Sequence, residues 1–286
     1  MNNINQKIII LILSLFLLNC GSPLPVYTSV QKGILANNQE GNKSFYYGDY
    51  DDALSHFNEA LKLALSVENF NSIAISQINI AMVYRKMGEK TKASQCIDTI
   101  ISSTNNTYSK SNIYSAELLK IMLLMDDNDY LNATSLSYKA LSHCNEIKCN
   151  SSGTIYNILT RISLFNKDGQ SALSNAAIAL KSNMKNEEKN ETANSYRLQG
   201  DAYMLNNDFI KAIESYKQAL TIDKTLDITE KIFNDLMGIG NGFYNQGKHS
   251  DALQFFERAH TVSINSNVTK EIEDSNSMIE KCKASL

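Results

Sequence analysis

The sequence predicts an all-α fold, an α-solenoid in which six helix–turn–helix repeats stack into a right-handed superhelix. Three observations support this prediction. After Pro25 the chain of 286 residues contains no proline, so one helix can follow another without interruption. A pattern recurs about every 40 residues. Within each repeat, small and apolar residues have the spacing of one helix face.

The repeat is clearest in two stretches, "GDYDDALSHFNEAL" at 48–61 and "NDFIKAIESYKQAL" at 207–220. When all repeats are aligned on the first alanine of these stretches, successive alanines are separated by 40, 40, 39, 40 and 40 residues. Chance would not keep this period through six repeats, so it is the main feature of the sequence. The aligned anchor residues are Ala53, Ala93, Ala133, Ala172, Ala212 and Ala252.

The second helix of each repeat carries a stripe that starts at the anchor. Positions i, i+4 and i+7 lie on one side of a helix. Small residues in the stripe let a neighbouring helix approach closely, and a large residue fills the gap. The residues four and seven positions after the anchors are Phe57 and Ala60, Ile97 and Ile100, Ser137 and Ala140, Ala176 and Ala179, Tyr216 and Ala219, and Phe256 and Ala259.

A tight turn precedes each of these helices. Glycine and asparagine tolerate the left-handed conformation that ends a helix, and an acidic residue at the next position favours the start of the following helix. Each repeat is therefore predicted as helix, turn, helix. The predicted turn and cap residues are Gly48 and Asp49, Gly88 and Glu89, Asn128 and Asp129, Lys167 and Asp168, Asn207 and Asp208, and Gly247 and Lys248.

A small residue followed by an aromatic one, a Gly-Asp turn and then Ala, aromatic, Ala resembles the tetratricopeptide repeat. The resemblance is strongest in repeats one, two, five and six. Repeat three has Ser137 in place of the aromatic residue, and repeat four, "KDGQSALSNAAIAL", contains almost only small residues. The usual period of the family is about 34 residues, so the longer period implies longer helices. The predicted repeats span 31–267, and a C-terminal cap helix spans 268–286.

The N-terminus, "MNNINQKIIILILSLFLLNCGSP", has Lys7 and then an apolar stretch at 8–18 that is shorter than the roughly 20 residues of a membrane span. Residues 1–19 are predicted to be a signal peptide. The segment that ends at Cys20 resembles a bacterial lipobox, although Asn19 stands where Gly, Ala or Ser is usual. The resemblance implies a lipidated Cys20 followed by a tether at 20–30. Plain secretion and an uncleaved anchor are the alternatives.

The surroundings of Cys20 and the net charge indicate where the protein acts. Gly21 and Ser22 follow Cys20, and the absence of Asp there resembles lipoproteins that reach the outer membrane. The predicted location is the cell envelope, at the outer membrane and facing the periplasm. The net charge of −3, without a block of like charges, argues against nucleic acid as a partner.

In the family, the first helices of the repeats line a concave groove. The resemblance implies a groove wall of methionine, aromatic, asparagine and arginine residues, which suits an extended peptide or an amphipathic helix. The alternative for some of these methionines is that they are buried in the core and do not line the groove. Asn38 stands where members that bind chaperone C-termini have Lys, so that clamp is incomplete. The candidate groove residues are Asn42, Tyr46, Met82, Arg85, Arg161, Arg197, Asp201, Asn241 and Tyr244.

Few residues have a spacing typical of catalysis or metal binding. In "HCNEIKC", Cys144 and Cys149 can form a disulfide in an oxidising compartment. The alternative is a metal site that includes His143, but the segment offers no fourth ligand. The acidic run "DDND" lacks the other ligands of an EF-hand loop, and no phosphate-binding loop, nucleophile elbow or HExxH motif occurs. The sequence predicts no enzyme activity, cofactor or metal.

These features together predict a lipid-anchored scaffold that binds another envelope protein and has no catalytic role. By resemblance, such lipoproteins serve as assembly factors for envelope machines. Two alternatives remain at this point. The first is a carrier of a small hydrophobic molecule that works with a transporter, with Met82, Met122 and Met125 lining a closed pore. The second is a structural protein that associates with its own copies.

Overall fold

The computed structural model describes residues 27–103 and 107–286. These residues form helices joined by turns and no strand, so the predicted all-α fold of helix–turn–helix pairs is confirmed. The predicted signal peptide and Cys20 lie outside the described residues. The thirteen helices of the described residues are α1 Ser29–Tyr46, α2 Tyr50–Ser66, α3 Phe70–Lys86, α4 Lys90–Ile101, α5 Lys110–Asp126, α6 Tyr130–Ile147, α7 Ser152–Phe165, α8 Gly169–Lys185, α9 Lys189–Leu205, α10 Phe209–Thr225, α11 Thr229–Asn245, α12 His249–Ser266 and α13 Thr269–Lys283.

The chain divides into two compact units, which we call the N-terminal unit (up to residue 76) and the C-terminal unit (77–286). In the N-terminal unit, α1 and α2 pack side by side in opposite directions. The ring of Phe57 on α2 lies against Gly41, where an added Cβ would come within 2.6 Å of the ring. The aromatic residue of the second helix therefore packs on a position of the first helix that has no side chain.

In the C-terminal unit, each helix from α4 to α13 contacts the next one. Contacts also link α7 to α9, α9 to α11, and α11 to α13. This is the stacking order of an α-solenoid, with the first helices of repeats four, five and six in one row. Helix α13 buries Ser275, Ile279 and Cys282 and leaves most of its other side chains in solvent, as a cap helix does.

The predicted stripe is confirmed in all six repeats. Every anchor alanine is fully buried, and so are the residues four and seven positions after it. Ser137 stands where other repeats have an aromatic residue. Its buried hydroxyl has a hydrogen-bond partner, because it donates to the Ala133 carbonyl at 2.7 Å. In repeats five and six the aromatic ring again packs on a glycine, Tyr216 on Gly200 and Phe256 on Gly240.

The turns within the repeats are confirmed as well. The residue five positions before each anchor has a φ between 58° and 80°, including Lys167, which has no intrinsic preference for that region. The structure adds a second set of left-handed residues that the sequence did not reveal. They lie in the turns between repeats, at Glu68, Lys148, Glu187, Asp227 and Asn267.

The predicted helix caps are confirmed in part. The carboxylates of Asp129, Asp168 and Asp208 accept a hydrogen bond from the backbone N–H three residues later. The prediction is wrong for Asp49 and Glu89, which occupy the N-cap position without a side-chain cap hydrogen bond. In repeat one the nearby Asp52 accepts the Ser44 hydroxyl instead, at 2.5 Å. Lys248, the remaining predicted cap residue, also makes no such bond.

Candidate functional site

A cleft of about 460 Å³ lies along the row formed by α7, α9 and α11 in the C-terminal unit. These are first helices of their repeats, which the sequence predicts to line a groove. Three candidate groove residues, Arg161, Arg197 and Asp201, come together here. The other residues that line the cleft are Leu164, Glu191, Asn194, Leu198, Glu230, Lys231 and Asn234.

Arg161 is the exposed arginine of this cleft. Within the described part of the chain its guanidinium makes no hydrogen bond or ion pair, whereas Lys231 bonds to the amide oxygen of Asn190. Asn194 and Asn234 lie on the two helices that follow α7 in the row. The planar guanidinium therefore presents its N–H donors to a ligand in the cleft.

Arg197 is held by two buried carboxylates. Its Nε donates to Asp235 Oδ1 at 2.7 Å, and one of its terminal nitrogens donates to Asp223 Oδ2. Both aspartates are completely buried, and each keeps one oxygen without a partner in the described residues. Burial raises the pKa of Asp235 to about 7, against the hydrogen bond and charge of Arg197 and with the help of the neighbouring Asp223 carboxylate. One guanidinium thus links two acids of which one takes up a proton near neutral pH.

Asp201 lines the cleft beside this group and contacts Tyr216 of α10. The Tyr216 hydroxyl donates to Asp201 Oδ1 at 2.6 Å. The ring of Tyr216 lies between Gly200 and Gly238, where added Cβ atoms would come within 2.7 and 2.8 Å of it. Burial raises the pKa of the Asp201 carboxyl, which the Tyr216 hydrogen bond and then the charges of Arg197 and Arg161 oppose. The glycines therefore let an aromatic side chain reach from the second helix to a groove carboxylate.

Some of the other candidate groove residues lie elsewhere or are engaged. Arg85 forms a bidentate pair with Asp126, at 2.5 and 3.0 Å. Met82 is half-buried on the same helix. The exposed Asn42 and Tyr46 belong to the N-terminal unit.

The last two candidates lie further along α11. The Asn241 carbonyl accepts the Asn245 amide, and the Tyr244 ring meets the His249 ring edge-on at 4.9 Å. The charges of Arg85 and Arg197 are thus balanced within the protein, which the sequence did not show.

Cys144 and Cys149 form a disulfide between the last turn of α6 and the turn before α7. His143 does not point to a metal site, because its Nδ1 lies 2.8 Å from a carboxylate oxygen of the fully buried Glu117. Lys139 pairs with the other oxygen of this carboxylate at 3.1 Å. No cluster of His, Cys, Asp and Glu within 27–103 and 107–286 could hold a metal ion. In the same residues, no helix combines the length and hydropathy of a membrane span.

The sequence reasoning missed the two buried aspartates, although a signal was present. Asp223 lies eleven positions after its anchor, where repeats one, three and six have the buried residues Ala64, Cys144 and Ser263. Asp235 lies 17 positions before the next anchor, where earlier repeats bury small or apolar residues. A carboxylate at a position that other repeats bury predicts a buried partner of opposite charge. The residues equivalent to Asp235 are Ser76, Ala116, Ile155 and Ser195.

Two segments match family models of the tetratricopeptide repeat, residues 74–107 and residues 193–226. No curated protein matches the sequence. Several solved structures share the fold at low sequence identity. The apo form of RapI has a TM-score of 0.69 and 15% identity, and the match covers 88% of this chain and 71% of that one.

Two further solved structures extend this comparison. A Rap protein complexed with Competence and Sporulation Factor has a TM-score of 0.62 and 13% identity, over 90% of this chain and 77% of that one. PilF of Pseudomonas aeruginosa has a TM-score of 0.60 and 13% identity, over 87% of this chain and 99% of that one. The matched segments lie in repeats two and five, where the residue pattern is strong, and the helix pairing agrees with these folds. The two matched segments are therefore tetratricopeptide repeats, in a chain whose fold these solved structures share.

Proposed function

We propose that the protein is a binding scaffold that holds a peptide or a helix of another protein in the cleft of α7, α9 and α11. The observation that carries the proposal is the exposed Arg161 guanidinium, which makes no hydrogen bond or ion pair in the described chain, in a cleft that Asn194 and Asn234 also line. Asparagine amides both donate and accept hydrogen bonds, so they can pair with a peptide backbone. The apolar Leu164 and Leu198 add contact area for a side chain.

The proposal includes an N-terminal lipid anchor at Cys20 and a place in the bacterial cell envelope, at the outer membrane and facing the periplasm. The lipobox-like sequence and the apolar stretch before it support this part. More than one acyl chain would anchor the protein stably, since a single chain binds only marginally. Anchoring would raise the local concentration of the cleft for partners in the same membrane, as an assembly factor requires.

The comparisons support binding to a protein partner. One solved protein of this fold was crystallised with a second molecule, Competence and Sporulation Factor. The charged residues of the cleft favour a polar partner over a small hydrophobic molecule. Met125, one of the methionines considered for an apolar pore, packs against the core around Ile121 and Ile158. The proposal therefore assigns the protein a binding role and no chemical reaction.

Photocrosslinking of the full chain in cells tests the proposal. A photoreactive residue replaces Leu164 or Asn234 in the cleft, and a matched control replaces the exposed Glu257 on α12, a second helix. We expect both cleft positions to capture the same protein and Glu257 to capture none. A capture at Glu257 equal to that in the cleft, or none in the cleft, would contradict the proposal. Arg161→Glu should also weaken capture from Asn234, because the proposed cation contact is lost.

A further inference from the structure

One end of the N-terminal unit carries a group of exposed apolar side chains. Their exposed fractions are 44% for Tyr27, 55% for Leu65, 47% for Val67 and 45% for Phe70. We call these four residues the entry end, because the described chain enters α1 there. Large apolar side chains that share one exposed surface indicate contact with another molecule or with lipid.

The four residues lie at the same end because of how α1 and α2 pack. Gly33, in the second turn of α1, lies against Leu63 in the last turn of α2, where an added Cβ would be 3.0 Å from the leucine methyl group. The start of α1 is thus beside the end of α2. Helix α3 starts at Phe70, directly after the short turn that ends α2.

We propose that the entry end rests on a lipid surface, with its apolar side chains at the boundary between lipid headgroups and acyl chains. The inference rests on the lipid anchor of the proposed function. Thr28 is the N-cap of α1 and follows Cys20 by eight residues. A fully extended chain of that length spans at most about 28 Å. An acylated Cys20 would therefore hold the entry end close to the membrane, where burial of its side chains stabilises the contact.

The opposite end of the same helix pair also exposes aromatic rings, Tyr46 at 83% and Tyr47 at 75%. Helix α1 has 18 residues and is therefore about 27 Å long. For this end to reach the membrane, the tether would have to run fully extended along the whole helix. Such a tether loses most of its conformational freedom, whereas contact at the entry end leaves it slack. The entry end is thus the favoured contact.

Charge contributes little to this contact. The exposed charged residues beside the entry end are Lys32 in the first turn of α1 and Glu68 in the turn after α2, which have opposite signs. One turn before Leu65, the exposed Lys62 is paired with Glu59 at 3.3 Å, so the two signs balance there as well. A surface without net positive charge gains little from anionic lipid. The contact should therefore form on zwitterionic lipid and be insensitive to salt, since salt screens charge interactions only.

The chain contains no tryptophan, so a single introduced tryptophan reports on one position. The lipidated full chain with Val67→Trp is bound to phosphatidylcholine vesicles, and Tyr47→Trp is the matched control at the other end of the helix pair. We expect the emission of Val67→Trp to shift to shorter wavelength and to be quenched by brominated acyl chains, at low and at high salt. The emission of Tyr47→Trp should stay unchanged by vesicles.

Two further measurements separate the outcomes. Mass spectrometry of the N-terminal peptide shows whether Cys20 is acylated, which tests the anchor alone. If Cys20 is not acylated, the proposed lipid anchor is wrong. A histidine tag at position 20 then attaches the protein to nickel-chelating lipid, so that the contact of the entry end with lipid can still be measured. Far-UV circular dichroism checks folding, and Leu65→Trp replaces any variant that does not fold. Unchanged emission at both entry-end positions, or a shift at Tyr47→Trp alone, overturns the inference.

Discussion

Two neighbouring contacts between repeats in the C-terminal unit, which we call junctions, place three side chains in equivalent positions. The side chains are uncharged in one junction and charged in the other. In each junction, a side chain of one helix meets a side chain near the end of the next helix and one of the helix after that. The helices are α7, α8 and α9 in the first junction and α9, α10 and α11 in the second. Each residue of the later junction lies 40 positions after its counterpart. The neutral triad, between repeats four and five, is Asn157, Asn183 and Ser195, and the ionic triad, between repeats five and six, is Arg197, Asp223 and Asp235.

In the neutral triad, amides and a hydroxyl bond to one another, and Asn183 Oδ1 has no hydrogen-bond partner in the described residues. Ser195 Oγ donates to Asn157 Oδ1 at 2.8 Å, and Asn183 Nδ2 donates to Ser195 Oγ at 2.9 Å. Asn157 Nδ2 also donates to a carboxylate oxygen of Glu191 at 2.8 Å. All three triad side chains are buried, so these bonds replace the hydration that the groups lose on folding.

The ionic triad uses the same positions for one half-buried cation and two fully buried acids. The two acids depend on the one cation, because the loss of Arg197 leaves both carboxylates buried without a positive charge. The comparison shows that the repeat fixes where side chains meet and leaves their chemistry free. We therefore expect the ionic junction to be more sensitive to substitution and pH than the neutral one.

The largest effect is expected from Arg197→Leu. The variant leaves Asp223 and Asp235 buried without a cation, which costs about 3–5 kcal/mol of unfolding free energy. Urea unfolding at pH 7, followed by circular dichroism, measures it. The matched control is Arg161→Leu, because Arg161 is exposed and unpaired within the described chain, and it should change stability by less than about 0.5 kcal/mol. Equal effects of the two substitutions would contradict the interpretation of the ionic triad.

The next effect concerns pH. Burial and the neighbouring carboxylate raise the pKa of Asp235 from 3.8 to about 7, so between these values the folded protein binds a proton that the unfolded chain has released. Stability therefore falls as pH rises from 5 to 8, by about 2–3 kcal/mol from this group. The difference in unfolding free energy between the wild type and Asp235→Asn isolates this contribution. A difference that does not change with pH would show that Asp235 titrates in the usual range.

The sequence predicted the fold in detail but the candidate site only in part. Glycine and asparagine in the turns within repeats reveal left-handed residues, because few other side chains favour that conformation. Glu68 and Glu187 adopt it in the turns between repeats, where hydrogen bonds such as Asn69 N–H to the Ala64 carbonyl impose it. No residue preference at those positions could have shown this.

For the candidate site, the sequence predicted which single side chains face the groove and did not predict which side chains pair with each other. Arg161 and Arg197 are both predicted groove residues on first helices, yet one is exposed and the other is bound by two buried acids. Which of two arginines is available depends on partners up to 38 residues away, such as Asp235. Sequence periodicity gives the face of a helix and does not give these pairings.

A smaller effect is expected at the neutral junction. Asn157→Leu keeps a similar volume but removes the acceptor of the Ser195 hydroxyl and a donor to Glu191. Ser195 can still donate to the Glu191 carbonyl at 2.8 Å, so the expected loss is about 1–2 kcal/mol of unfolding free energy. The same urea titration measures it. A loss as large as that of Arg197→Leu would mean that charge is not what distinguishes the two triads.

The smallest effect is expected when the ionic triad is replaced as a set by its neutral counterpart, through Arg197→Asn, Asp223→Asn and Asp235→Ser in one chain. The backbone already presents these three side chains to one another in the preceding junction, so the bonds of Asn157, Asn183 and Ser195 can form again 40 residues later. Removing all three charges together leaves no uncompensated group, and exchange of a buried ionic set for uncharged residues is often neutral or stabilising.

We expect the unfolding free energy of this triple variant to stay within about 1 kcal/mol of the wild type at pH 7, far above that of Arg197→Leu. The decrease between pH 5 and 8 should also shrink, because the proton on Asp235 is gone. If the triple variant is as unstable as Arg197→Leu, the two junctions are not interchangeable. The charges would then be required by the local packing around Tyr216, whose ring lies between Gly200 and Gly238 beside them.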